Sequence, residues 1–270
     1  MPVTQTQQGS RWVRHSSRDV LVRYTVLLLT LVAFIVAMRF ISGQTMWVFV
    51  SDAPRQAADF TARMFPPDIG FFPRAVAALW ETINIAVFGT ILGVIIALPL
   101  AILCAKNTTP HSSIRAVALT LSAASRSVTS LIWALLLVQV VGPGLLAGVL
   151  AVGIRSVGMI TKILYETIEE IDTSPIEAVK STGASETQIF LYGYMPQLMS
   201  AFVGITVYRW EINIRESTII GIVGGGGIGF LLNSAINRLA WDQVSVILIT
   251  ILACVFFAEI VSAKIRAAVN

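Results

Sequence analysis

Three arginines, Arg126, Arg155 and Arg209, stand in stretches that are otherwise apolar, and Glu211, Arg215 and Glu216 follow the third closely. A guanidinium is always charged, and its planar fork of donors matches the oxygens of a carboxylate or a phosphorus oxyanion. In hydrocarbon each arginine costs at least about 2.5 kcal/mol, so it must face protein or a water-filled path. Two chemistries fit. One is internal ion pairing, for example Arg209 with Glu211 or Glu216. The other is a positive zone on the route of an anion, favoured by the excess of arginine over acid. Other reactive types are sparse. His15 and His111 lie in polar flanks, and Cys104 and Cys254 lie in separate apolar stretches. These give no metal-ligand spacing, no disulfide framework and no nucleophile elbow. The glycines Gly224, Gly225, Gly226, Gly227 and Gly229 lack the Lys-Ser/Thr that completes a phosphate-binding loop, so no ATP hydrolysis is expected of this chain.

The elements that must carry these charges are membrane helices. The chain has 270 residues, of which 56% are apolar and 13% charged, with a mean hydropathy of +0.79. The charged share is about half of the ~25% usual in soluble domains, which excludes a disordered chain and an ordinary soluble enzyme. The net charge of +4 comes from residues that flank apolar segments rather than from a basic run, so nucleic acid is not an expected partner. A hydrocarbon core about 30 Å thick needs roughly 20 apolar residues in helix. Six stretches qualify, near residues 24–41, 79–105, 114–141, 145–164, 197–215 and 243–263. Residues 217–232 are apolar too, but their glycines predict a re-entrant or broken segment packed inside protein. The long polar region before Tyr24 predicts a retained first helix rather than a cleaved signal.

Basic residues set the orientation. Arg11, Arg14, Arg18 and Arg23, then Lys106 and Arg115, then Lys162 and Lys180, then Lys264 and Arg266 fall on one side if both termini are cytoplasmic. The predicted architecture is an all-α polytopic bundle of about six spans. Residues 1–23 form a cytoplasmic N-terminal segment, and residues 24–270 form one transmembrane domain. With straight helices, Arg126, Arg155 and Arg209 lie about 18, 15 and 18 Å from their entry points, near one midplane level. A break near Ser125–Ser127 would move Arg126.

The loop between the fourth and fifth spans has the densest local signals. Ser174, Pro175 and Glu177 read as a capping box with proline in its first turn. Gly183 suits a left-handed C-cap, and Ser185 with Gln188 forms a second capping box. Pro196 marks a break before the fifth span. Two short helices hinged at Gly183 are predicted over residues 174–196.

The pattern Glu177-Ala178, Gly183 six residues after Glu177, then Ile189 and Pro196, resembles the EAA loop of ABC importer permeases. Val179 departs mildly from the family's second alanine. Met64-Phe65-Pro66-Pro67-Asp68, Glu81-Thr82, Pro99-Leu100-Ala101, Ala105-Lys106-Asn107 and the run from Asn213 through Gly229 resemble the phosphonate-type permeases, from about residue 60 to 265. The resemblance implies a type I ABC importer permease fold in a bacterial inner membrane. It implies a second copy of the chain, two ABC ATPase subunits that bind the ATP, and an extracytoplasmic substrate-binding protein, all in membrane lipid. Glu177, Ala178, Gly183, Ile189 and Pro196 become the ATPase-coupling residues. Arg126, Arg155, Arg209, Glu211, Arg215, Glu216, Gly224, Gly226 and Gly227 become candidates for the translocation path. The cargo implied is a phosphonate, phosphate or phosphite, and no cofactor is held by this chain. Methionine or glycine-betaine permeases share the EAA loop and stand as the alternative. An ATP-independent secondary transporter is a further alternative, but it leaves the hairpin unexplained.

Overall fold

The computed structural model describes residues 3–6, 9–12 and 17–269; Arg14 and His15 lie outside them. The chain packs as two units, Met1–Asp59 and Phe60–Asn270. In the first, β1 (Val3–Thr6) and β2 (Gly9–Trp12) form an antiparallel ribbon. That ribbon departs from a purely helical chain, in a stretch where the sequence shows nothing diagnostic. α1 (Ser17–Gln44) is long and apolar enough to cross a membrane, with no marked polar face. α2 (Trp47–Met64) follows, with its last turn in the second unit.

The second unit is built on α3 (Phe72–Cys104), α6 (Leu145–Glu169) and α9 (Met195–Ile220). Three levels fix their directions. Ile85 packs with Val152 and Ile220. Thr90 meets Asn213. Ala101 and Ala105 pack with Leu164, Ile168 and Leu198. So α3 and α6 run parallel, and α9 runs against both. Small residues let α3 and α6 touch: a Cβ on Gly93 would sit 2.5 Å from that of Ser156, and one on Gly153 would sit 2.7 Å from Leu92. α11 (Trp241–Val269) closes the bundle on α9 and α3, with Cys254 and Ala258 against Ala86 and Ile214.

Spans four and six lie where the apolar stretches place them. The third does not cross as one straight helix. α4 (Ser112–Ser127) and α5 (Ser130–Val141) meet at 88°, across the extended residues Val128 and Thr129. The straight-helix depth of Arg126 is therefore replaced by what its backbone touches.

The fifth span also differs. Pro196 does not break the chain. α8 (Glu186–Ile189), a π turn at Phe190–Tyr194 and α9 form one continuous helical run. Pro196 sits in the first turn of α9, and the Met195 N–H donates five residues back to Phe190. A π turn absorbs the missing proline N–H without ending the helix. The glycine-rich segment is broken as expected, by a second π turn at Gly221–Gly225, followed by α10 (Gly227–Asn237).

Candidate functional site

Three places hold the residues that the sequence singles out. The first is the hairpin. α7 (Thr173–Ser181) is capped by Asp172, not by Ser174: the Asp172 carboxylate accepts from the Ser174 N–H at 2.9 Å and its hydroxyl at 2.8 Å. Aspartate is as good a cap as serine and sits two residues earlier, directly before Thr173, so it takes the cap and leaves Glu177 outside the capping box. The two Ser174 hydrogen bonds, the backbone one first, hold the Asp172 carboxyl below its ordinary range. Gly183 has φ +77°, a left-handed cap cheap only for glycine. Gln188 Oε1 accepts from the Ser185 N–H at 2.8 Å, which forms the reciprocal half of the second capping box.

The hairpin is fastened to α9. Ile176 is buried against Gly193, and the Gln197 amide donates to the Asp172 and Gly193 carbonyls at 3.2 and 2.9 Å. Ile189 is buried, whereas Glu177, Ala178, Gly183 and Pro196 are exposed. Ala178, Val179, Thr182, Gly183, Ala184 and Gln188 line a shallow hollow on the outer face.

The second place lies at mid-height, where Thr90 of α3 meets Asn213 of α9. Arg209 is 2% exposed. Its Nε donates to Ser156 Oγ at 3.0 Å, its Nη1 to Met159 Sδ at 3.2 Å and its Nη2 to Glu216 at 3.3 Å. The other Glu216 oxygen accepts from Arg155 Nε at 3.3 Å. Asn213 Nδ2 donates to Thr90 Oγ1 at 2.8 Å and Ser156 Oγ at 3.0 Å. The partner of Arg209 is thus Glu216, one carboxylate shared by two arginines. Glu211 looks the other way, to Arg215 at 2.7 Å and Arg266 of α11 at 3.6 Å.

Arg126 contributes only its carbonyl to this group, as an acceptor from Arg155. Its side chain is exposed, and among the described residues no carboxylate lies within ion-pair range of it. Asn213, Ser156 and Thr90 escape a search for charge. Asn213 stands one turn after Arg209 on a helix, which is the signal that could have found it.

The third place is the glycine segment. Gly224, Gly226 and Gly227 have φ of +98°, +81° and +72°. The Gly224 carbonyl accepts from the Gly144 N–H at 2.9 Å, tying the segment to the α5–α6 turn. The first N–H groups of α10 are satisfied from α3: Gly227 N–H donates to Glu81 at 3.1 Å and Ile228 N–H to Thr82 Oγ1 at 2.8 Å.

Comparison with known proteins gives this arrangement a setting. The phosphite transport system permease PtxC of Stutzerimonas stutzeri is 38% identical over 209 residues, covering 77% of this chain and 76% of that one. The phosphate-import permease PhnE of Mycolicibacterium smegmatis is 39% identical over 204 residues, 76% of this chain and 38% of that longer protein. Among solved structures, an inward-facing methionine ABC transporter, MetNI, matches with a TM-score of 0.66 at 20% identity, covering 75% of this chain and 99% of that one. An amino acid ABC transporter matches with a TM-score of 0.63 at 20% identity, covering 74% of this chain and 94% of that one. At such identity these two speak for the fold, a type I importer permease. The family model for the inner membrane component of binding-protein-dependent transport systems matches residues 97–269, which hold the hairpin, the glycine segment and every member of the mid-height cluster except Thr90, and the chain belongs to that family.

Proposed function

We propose that the chain is the membrane-spanning permease of an ATP-driven importer for phosphite, phosphonate or phosphate. The observation that carries this reading is the similarity to phosphite and phosphate permeases over 77% and 76% of the chain. Two partner ATPases bind and hydrolyse the ATP, so this chain is no enzyme and holds no cofactor. An extracytoplasmic binding protein delivers the cargo, a second copy of the chain completes the path, and lipid surrounds the pair. Both termini face the cytoplasm. Glu177, Ala178 and Gly183 present the coupling face to an ATPase, with Ile189 and Pro196 at its junction with α9. Closure of the ATPases moves the hairpin, and α9 carries that motion to the mid-height cluster. Alternating access follows.

Along the path, Arg155 and Arg209 share Glu216, and Glu211 and Arg215 pair with each other. That leaves Arg126 as the cation for a passing oxyanion. Gly224, Gly226 and Gly227 shape the far end. The test is uptake by the permease reconstituted with its ATPase and binding protein, using labelled phosphite, methylphosphonate, phosphate and methionine. ATP-dependent uptake of a phosphorus oxyanion is expected, and uptake of methionine alone overturns the reading. Arg126→Gln is expected to slow uptake at an unchanged melting temperature.

A further inference from the structure

The break between α4 and α5 leaves a helix end at membrane depth. The last carbonyls of a helix have no partner within it, and hydrocarbon offers none. Arg155 supplies one. Its Nη1 donates to the Arg126 carbonyl at 3.4 Å and to the Val128 carbonyl at 3.2 Å, at the last turn of α4 and in the break itself. Its Nε is directed the other way, to Glu216 on α9. A cation at the C-terminal end of α4 also complements the helix dipole. Glu216 in turn holds Arg209, seven residues earlier on the same helix.

The two sides of the break are held by different means. On the α4 side, Ser122 Oγ donates to the Gly158 carbonyl at 3.2 Å, Gly158 N–H donates to Ser125 Oγ at 3.1 Å, and Ser125 Oγ donates to the Ile154 carbonyl. A Cβ on Gly158 would lie 2.5 Å from the Ser122 carbonyl, so α4 is seated closely on α6. On the α5 side the contacts are apolar, through Trp133, Ala134 and Leu137 onto Ile85, Val152 and Ile220. Apolar faces slide at little cost. Among the described residues, the directional link from the break to α9 therefore runs through one guanidinium.

We infer that Arg155 is a positioning residue that holds the bend of the third span to α9, so that motion of α9 driven from the 173–194 hairpin reaches that bend through Glu216. The inference rests on the importer reading for its motion but not for its geometry. A lysine in place of Arg155 keeps the charge but cannot face Glu216 and two carbonyls at once. Glu216→Gln keeps the shape and removes the charge that binds both arginines.

Both variants are to be reconstituted with the ATPase and binding protein, with phosphite as cargo, and uptake per ATP hydrolysed compared with wild type. A fall of about fivefold or more is expected, the lower end of the ordinary range for coupling between sites. An unchanged ratio in both variants overturns the inference, whatever happens to their melting temperatures. The second measurement is amide hydrogen exchange on the detergent-solubilised chain over residues 126–133. Faster exchange confined to that stretch is expected in Arg155→Lys, and an unchanged profile there overturns the inference. Exchange needs no cargo. If the wild-type complex fails to move any phosphorus oxyanion while the exchange difference is present, the importer reading fails and the brace stands.

Discussion

The hairpin and the mid-height cluster are joined by one helix, yet they are built on opposite principles. In the hairpin nearly every bond is local: Asp172 to Ser174, Gln188 to Ser185, and a left-handed Gly183. Its outer side chains, Glu177 and Ala178, are exposed. The cluster joins residues far apart in sequence, Thr90 with Asn213, Ser156 with Arg209, Arg155 with Glu216. A part that must dock on another subunit keeps its free surface and holds its shape from within. A part that must transmit a movement needs bonds that cross from helix to helix. Charge shows the same contrast, since exposed charges in the hairpin are screened by water, while those of the cluster are worth more because little water competes.

The largest expected effect lies in the cluster. Glu216→Ala leaves Arg209, 2% exposed, and Arg155 without their shared carboxylate. Removing one member of a buried ion pair costs about 3–5 kcal/mol. A marked drop in melting temperature in detergent is expected, and an unchanged one would mean that water or lipid already compensates these arginines. The same substitution at Glu177, which is exposed, is expected to leave the melting temperature alone and lower only uptake.

Two left-handed glycines sharpen the comparison. Gly227 has φ +72°, and a Cβ there would sit 2.4 Å from Thr82 Oγ1, the atom that caps α10. Gly227→Ala combines backbone strain with overpacking, about 1–3 kcal/mol for the latter alone, and breaks the cap. Gly183 has φ +77° but nothing within 4 Å of a Cβ. There the cost is strain only, about 1–2 kcal/mol, confined to the hairpin. Gly183→Val should insert and assemble but couple poorly, as read by uptake per ATP hydrolysed. Equal losses of stability at the two sites would remove the distinction between crowded and open glycines.

The smallest effect is at Asp172. Its carboxyl is held below the ordinary range by the Ser174 hydrogen bonds. A group whose folded pKa is lowered contributes stability that is present above its unfolded pKa and lost as pH falls through the folded one. Protection of the Ser174 amide from exchange should therefore weaken on acidification below the usual carboxylate range. In Asp172→Asn that dependence should be absent, since an amide caps without titrating. An acid-sensitive Ser174 amide in the Asn variant would assign the effect to another group.

How much of each region could be read from the sequence follows from the same contrast. Gly183 and the Ser185–Gln188 pair are recognisable because turn and cap chemistry acts over a few residues. The misplaced cap at Ser174 is a two-residue error between two competent acceptors, and the π turn before Pro196 trades a predicted break for a bulge. The type and spacing of Arg126, Arg155, Arg209 and Glu216 announce a costly cluster that must be compensated. They do not say by what, because ion pairs between helices depend on rotation and level.

The sequence by itself determined that the chain is a bundle of membrane helices, where most spans lie, that the glycine segment is broken, and that a capped hairpin precedes the fifth span. Those features follow from hydrophobic length and local backbone chemistry, which act within a window of residues. The tertiary structure alone decided that α4 and α5 meet at 88°, that Glu216 rather than Glu211 serves Arg209, and that Arg155 bonds the carbonyls of the bend. Each of these depends on which helix faces meet, and that is fixed only when α3, α6 and α9 pack together at Gly93, Gly153 and Asn213.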